Sequence, residues 1–310
     1  MKKKILITGA HGDIAQSIYK IIKKNYKNKY DIEGIDILSN GPGEYIFDKV
    51  FKAPKANSNK YGKFINKIGA QYLLIIPTTE NEMDYFSKNI ILIKKFPILM
   101  NKPEIIKLFL NKLSTHKFLS LNNIYASKFS LPLRNIKTYQ KPFFLKTIYG
   151  HGNQDYKIIN SKTKFNSLNE LNKNQWIAQE YFNKKYDEYT CSIIKIENFI
   201  YTIILKRKLL KGLTYYAETV KNKNIDIALR NIANKVKLEG SINIQLKILK
   251  KRIGIFEINP RLSSTVLMRD MLGFKDCIWW IEYFLNKKTP SNVKIKNKKI
   301  LKKYKEVFVN

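Results

Sequence analysis

Seven residues near the C-terminal end, Ile255-Phe256-Glu257-Ile258-Asn259-Pro260-Arg261, constrain this chain more than any others. They alternate in character with a period of two, as a strand does. Glu257, Asn259 and Arg261 should therefore share one face, with Phe256 and Ile258 on the other. The polar face carries a carboxylate, an amide oxygen and a guanidinium. Two hard oxygens side by side suit Mg²⁺, which keeps phosphate as a further ligand. An arginine just beyond them suits bidentate contact with a phosphoryl or carboxylate group. Pro260 stops the strand there and places the cluster at a strand end. An ordinary amphipathic strand with a polar outer face would read the same way, so the rest of the chain has to separate the two.

The 310 residues, 44% of them hydrophobic, suffice for two or three domains with real cores. The 58 Lys+Arg against 24 Asp+Glu give a formal charge of +34, which invites a nucleic-acid reading. Arginine, however, occurs only at positions 134, 207, 230, 252, 261 and 269, and lysine supplies nearly all the rest. Lysine spread evenly alongside abundant Asn, Ile and Tyr is not the clustered, bidentate arginine pattern of a specific nucleic-acid binder. The charge should still attract anions such as nucleotides and acidic metabolites. Two cysteines, Cys191 and Cys277, build neither a disulfide framework nor a zinc site, and point to a reducing compartment. The apolar run Ile5-Leu6-Ile7 is too short for a signal peptide, and no run is long enough to span a bilayer. A cytoplasmic protein that does not enter a membrane is expected.

Lys4–Thr8 reads as a buried parallel strand. The glycine turn Gly9–Ala15 follows it, then a helix over Ile14–Lys24. Tyr30–Leu38, ending its strand at Asp36, and Tyr72–Pro77 add further strands. Thr78-Thr79-Glu80 reads as a helix cap. Strands alternating with helices predict an α/β domain over 1–100, of the doubly wound, Rossmann-like kind. A second unit, 101–290, opens with a helix from Pro103 to about Leu113 and a second over Ser114–Leu121. It then becomes strand-rich: Phe143–Thr147, Trp176–Glu180, Tyr189–Glu197, Phe199–Leu205, Ile242–Leu249 and Ile253–Ile258, with a helix over Asp226–Lys237. This predicts an α+β domain with antiparallel sheets, in two lobes of about 101–182 and 183–290. The basic segment 291–310 should pack back on the body, because Tyr304, Val307, Phe308 and Val309 need covering.

Four features of the second unit carry chemistry. Phe143–Lys146 is an apolar strand ending in lysine, followed by the loop Gly150-His151-Gly152-Asn153. Such a pair suits a polyphosphate. Ile177–Phe182 runs into a loop that can offer backbone groups to a base. Glu188, opening the next strand, can accept from ribose hydroxyls. A hairpin joining Ile242–Leu249 to Ile253–Ile258 through Leu249–Arg252 would bring Gln245 beside Glu257. The fourth feature is the Glu257, Asn259, Arg261 face.

The order of these elements resembles the ATP-grasp superfamily, most closely the carbamoyl-phosphate synthase large-chain branch and the short ligases related to it. The resemblance covers nearly the whole chain. Residues 1–100 are similar to the family's leading domain, and 101–290 to its two nucleotide-binding lobes. Glu257-Ile-Asn259-Pro260-Arg261 is close to the family's E-x-N-P-R motif, and Asn111-Lys112 resembles its Asp-Lys pair. The resemblance implies ATP and Mg²⁺ (or Mn²⁺) as cofactors. Lys112, Lys146, Gly152 and Asn153 would bind phosphates. Gln179, Glu180, Tyr181 and Phe182 would hold adenine, and Glu188 the ribose. Gln245, Glu257 and Asn259 would hold one or two metal ions. Arg261 and Lys146 would be the catalytic residues, with Arg207, Lys208 and Glu218 toward the substrate. It also implies an ATP-dependent carboxylate–amine ligase acting through an acyl phosphate on small molecules, and a homodimer would be compatible with it. The phosphate loop departs from the family: Thr147 follows Lys146, and Asn153-Gln154-Asp155 replaces its glycine-rich end.

Two other functions compete at this stage. Gly9-Ala-His-Gly12-Asp-Ile-Ala15 after a strand, with Asp36 closing the next, resembles a dinucleotide turn and would suit a nicotinamide-dependent oxidoreductase. A non-catalytic nucleotide-binding protein is the other.

Overall fold

The computed structural model describes residues 2–27, 29–149, 156–183, 185–249 and 252–303. Ile5, Leu6 and Ile7 are fully buried, as befits a strand covered on both faces. They lie in β1 (Lys3–Thr8), which is followed by α1 (Asp13–Tyr26), β2 (Tyr30–Asp36), β3 (Lys49–Lys52), α2 (Asn59–Ile68), β4 (Tyr72–Ile76), α3 (Glu80–Lys88) and α4 (Ile90–Lys95). The four strands form a parallel sheet in the order β3-β2-β1-β4. Ile5, Ile7, Leu74 and Ile76 pack on Ile18, Ile21 and Ile22 of α1. Leu6, Ile35 and Ile75 face α2, α3 and α4 through Tyr61, Ile65, Phe86 and Leu92. Thr79 caps α3 by accepting from the Glu82 N–H.

Of the two helices expected here, the first ends at Leu110 rather than about Leu113 and the second begins at Lys112 rather than Ser114, giving α5 (Pro103–Leu110) and α6 (Lys112–Leu121). Asn111 between them is extended, and its side-chain oxygen accepts from the N–H groups of Leu113 and Ser114. The strong N-cap preference of asparagine thus moves the boundary between the two helices to Asn111. A small antiparallel sheet follows, in the order β5-β8-β6-β7. It is built from β5 (Ser130–Pro132), β6 (Phe143–Thr147), β7 (Tyr156–Ile159) and β8 (Trp176–Glu180), with α7 (Lys162–Asn166) alongside.

The remaining elements are β9 (Glu188–Ile196), β10 (Phe199–Leu210), β11 (Leu213–Thr219), α8 (Lys223–Lys235), β12 (Gly240–Leu249), β13 (Arg252–Asn259), α9 (Val266–Met271), α10 (Asp276–Asn286) and β14 (Lys299–Leu301). They contribute a six-stranded antiparallel sheet in the order β13-β12-β9-β10-β11-β14. β10 runs past the expected Leu205 to Leu210, and β11 was not expected. β10 pairs with β9 as far as Arg207 and with β11 through Leu210, which holds the longer strand. α8 begins at Lys223, before the expected Asp226, because Asn222 caps it. In the C-terminal segment β14 pairs with β11. Residues 304–310, including Tyr304, Val307, Phe308 and Val309, lie outside those described.

Both faces of the large sheet are covered. Cys191, Ile193, Ile204, Ile242, Ile244 and Leu246 pack on α5 and α8. On the other face, Ile194, Ile196, Ile203, Leu205 and Ala217 join a core shared with α1, α9, α10 and the first sheet. Asn101, 1% exposed and between the first sheet and α5, ties to the six-stranded sheet: its amide donates to the Ser241 carbonyl at 2.7 Å and the Pro260 carbonyl at 2.9 Å. Gly240, at φ +135°, leaves room for this; a Cβ there would lie 2.6 Å from the Trp280 ring and 2.7 Å from the Asn101 amide oxygen. Asn101→Ala should cost about 1–3 kcal/mol by stranding two buried carbonyls. Urea unfolding is expected to show a lower midpoint at unchanged slope, and an unaltered midpoint would contradict this account.

Candidate active site

One face of the six-stranded sheet changes character along its length. On β9 the residues of that face are Glu188, Thr190, Ser192, Ile194 and Ile196. The isoleucines enter the shared core, and Glu188 lines a cleft of about 1030 Å³, a volume typical of small-molecule sites. Cross-strand pairing sets Arg207 of β10 and Lys247 of β12 on either side of Glu188. The Arg207 Nε and Nη2 donate to Glu188 Oε1 at 3.0 and 2.6 Å, and Lys247 Nζ lies 3.4 Å from Glu188 Oε2. Arg207 Nη2 also donates to Gln245 Oε1 at 2.8 Å.

Gln245 pairs with Glu257 across the hairpin of β12 and β13, as the sequence led us to expect. Glu257 Oε1 accepts from the amide NH₂ of Gln245 at 3.2 Å and from that of Asn259 at 2.7 Å. The expected alternation of β13 fails at one point. Gln245 pairs with Glu257 but Leu246 pairs with Ile255, so Phe256 is an extra residue in a β-bulge. Ile255 and Ile258 therefore both enter the core, whereas Phe256 and Glu257 both line the cleft. Phe256 does not share the side of Ile258. Its ring centroid lies 5.7 Å from that of Phe182 and 5.3 Å from Lys146 Nζ. Gly254 permits this, since a Cβ there would lie 2.5 Å from the Phe182 ring.

The small sheet supplies the facing wall. Alternation along β6 sends Phe143 and Leu145 into the sheet's own core and Phe144 and Lys146 to the cleft. Lys146 Nζ donates to Gln179 Oε1 at 3.0 Å. Burial pushes the Lys146 ammonium below its ordinary range, opposed by the attraction of Glu257 and reinforced by nearby Lys112. Lys112 opens α6 at the same cleft. The third side is the carboxyl end of the first sheet: Gly9, Gly12, Asp13, Thr78, Thr79 and Glu80, the position where open α/β sheets place their ligands. Arg261 reaches across to it, its Nη2 3.0 Å from Glu80 Oε1.

Lys112, Lys146, Gln179, Phe182, Glu188, Gln245, Glu257, Asn259 and Arg261 thus line one cleft, together with Arg207 and Lys208. Glu180, Tyr181 and Glu218 are not among its lining residues. The Glu180 carboxylate accepts from the Lys128 N–H and pairs with Arg252, the Tyr181 ring packs on Phe144, and Glu218 accepts from Tyr216. Gly152 and Asn153, with His151 and Asp155, lie outside the described residues. Asn111 serves as a helix cap. Asp36 commits both carboxylate oxygens to the N–H groups of His11 and Leu38, and the His11 ring fills the space beside Gly41 and Gly43. Lys247, Asn243 and Glu80 line the cleft without having been singled out. Lys247 lies two residues beyond Gln245 on one strand face and could have been found by alternation; nothing local marks Glu80.

Among the described residues no three His, Cys, Asp or Glu side chains are grouped as a metal site. The donor set nevertheless fits Mg²⁺ held jointly with phosphate, which needs only one or two protein carboxylates. The oxygens not engaged by the bonds above are Glu257 Oε2 and Asn259 Oδ1. Among the described residues no helix is long and apolar enough to cross a membrane.

Residues 172–307 match the family model described as ATP-grasp in the biosynthetic pathway with Ter operon. No curated protein matches the chain. Among solved structures, N5-carboxyaminoimidazole synthetase from Staphylococcus aureus with ADP is 16% identical at a TM-score of 0.74, over 95% of this chain and 81% of that one. N5-carboxyaminoimidazole ribonucleotide synthetase from Thermus thermophilus is 10% identical at 0.75, over 95% and 81%. The biotin carboxylase domain of Hydrogenobacter thermophilus 2-oxoglutarate carboxylase, solved as a dimer with MgADP, ADP and bicarbonate, is 12% identical at 0.70, over 96% and 73%. The sequence pattern of residues 172–307 thus matches an ATP-grasp model, and the chain has the ATP-grasp fold along nearly its whole length.

Proposed function

We propose that this chain is an ATP- and Mg²⁺-dependent ligase that joins a small-molecule carboxylate to an amine through an acyl phosphate. The observation that carries the reading is the convergence of Lys112, Lys146, Glu257, Asn259 and Arg261 on one cleft, although they come from three separate stretches of chain. Similar folds solved with ADP, and with MgADP and bicarbonate, support it. In this reading residues 1–100 form the leading domain and 101–290 the two nucleotide-binding lobes. Adenine lies between the small sheet and Phe256, near Gln179 and Phe182, with Glu180 and Tyr181 contributing backbone. Glu188 faces the ribose. Gly152 and Asn153 complete the phosphate loop. Contacts of this kind with small molecules require neither membrane nor nucleic acid; two buried, free cysteines suit the cytoplasm.

Such transfer depends on positioning and charge neutralisation. Glu257 and Asn259 would hold the metal, which supplies charge neutralisation at the terminal phosphates. Lys146 and Lys112 orient the phosphates, and Arg261 stabilises the phosphoryl group as the substrate carboxylate attacks its phosphorus and ADP leaves. The amine then attacks the acyl carbon, the carbon–oxygen bond breaks, and inorganic phosphate departs. Glu80 aligns Arg261 from the first sheet. No observation favours the oxidoreductase reading, since the Asp36 carboxylate is already committed to its own turn.

Isothermal titration with a non-hydrolysable ATP analogue, with and without Mg²⁺ and beside NADH, tests the site. Magnesium-dependent binding of the analogue is expected; NADH binding alone would overturn the proposal. Glu257→Gln or Arg261→Ala should lose on the order of a hundredfold in turnover without unfolding, measured as ADP release over carboxylate and amine pairs. Full activity in either variant would exclude the assigned roles.

The lowered Lys146 pKa adds a pH dependence. Only the ammonium attracts phosphate, and burial favours its loss, so analogue affinity should weaken as pH rises through a range below the ordinary lysine value of 10.5. Lys146→Arg, which stays charged, should flatten that limb; an unchanged profile in Lys146→Arg would assign the titration to another group.

A further inference from the structure

The polar end of the large sheet holds a fixed cation beside Glu188 and Gln245. Arg207, with 8% of its side chain exposed, is bound through three nitrogens: Nε and Nη2 to Glu188, Nη2 to Gln245 and Nη1 to Thr214 at 3.4 Å. A guanidinium has donors and no acceptor. It therefore fixes the orientation of the Gln245 amide, with the oxygen toward Arg207 and the NH₂ toward the acceptor-only carboxylate of Glu257. Gln245 is a donor to Glu257 in this chain of hydrogen bonds, and its oxygen faces a guanidinium whose charge opposes a metal ion there. Glu188 is likewise committed, one oxygen accepting twice from Arg207 and the other 3.4 Å from Lys247. Of the oxygens around Glu257, those on the side away from Arg207 are the ones left to a cation.

We propose that the site takes one divalent ion, on Glu257 and Asn259, and that the Arg207 guanidinium takes the place of a second. Gln245 is then a positioning residue that links the guanidinium to the metal-binding carboxylate. This rests on the nucleotide-binding reading above and narrows its one or two ions to one. Arg207 supplies a permanent charge to the nucleotide phosphates, independent of metal concentration.

The test counts ions. The full chain is saturated with the non-hydrolysable ATP analogue and titrated with Mn²⁺, and free Mn²⁺ is followed by its electron paramagnetic resonance signal. One tightly bound Mn²⁺ per nucleotide complex is expected in the unaltered protein, so the result does not depend on a variant folding. Gln245→Leu should keep that single ion, whereas Glu257→Gln should lose it. The pair Arg207→Met with Gln245→Glu should bind two. Arg207→Met alone should weaken analogue binding at least tenfold while leaving the count at one. Two ions on the unaltered complex, or loss of the ion in Gln245→Leu equal to that in Glu257→Gln, would overturn this inference and leave the nucleotide site standing. Failure of the unaltered protein to bind the analogue would overturn both.

Discussion

One face of the six-stranded sheet has to satisfy two incompatible environments, and the rest of the molecule is arranged around that constraint. At one end it must present isoleucine to α1, α9 and α10; at the other it must keep charged groups facing a cleft. Period-two alternation allows both, because a strand face is a single row of side chains whose chemistry can change along its length. The change comes on β9 between Ile194 and Thr190, with Ser192 and Ser241 grouped around the buried Asp276, which pairs with Arg269. Beyond them the face is polar, each group placed opposite a partner on the next strand.

Charge at the polar end is matched locally, although the chain as a whole is strongly basic. Glu188 stands between Arg207 and Lys247, Glu257 lies near Lys146, and Glu80 meets Arg261. Partly buried ions need such partners, since an unpaired one would carry its full desolvation cost. Lys146 departs from this pattern. It is half-buried with an amide oxygen as its hydrogen-bond partner and lies near the rings of Phe144 and Phe256, so desolvation destabilises its ammonium despite the attraction of Glu257.

The cleft requires all three sheets. The hairpin of β12 and β13 provides the oxygen donors, β6 and β8 the lysine and the facing wall, and the first sheet the Glu80 that reaches Arg261. Asn101 and Trp280 against Gly240 fix the first sheet to the hairpin that carries Pro260 and Arg261. A change at that junction, far from any phosphate, would therefore be felt through the direction of Arg261.

Much of this was legible in the chain because it is local. The buried strand before Gly9, the alternation of Phe143–Lys146 and the pairing of Gln245 with Glu257 across a short turn all follow from short-range periodicity, and the motif ending in Arg261 carried the resemblance to the ATP-grasp fold. What the chain could not show on its own depends on neighbours distant in sequence. The bulge that turns Phe256 into the cleft exists only because β12 is one residue shorter in register at that point. β11 is a strand because β10 and β14 flank it. Glu80 becomes a partner of Arg261 only when folding closes a separation of 181 positions along the chain. The commitment of Gln245 as a donor was invisible for the same reason: sequence names the amide, but which of its two ends faces the carboxylate is decided by Arg207, a neighbour brought alongside by pairing through β9.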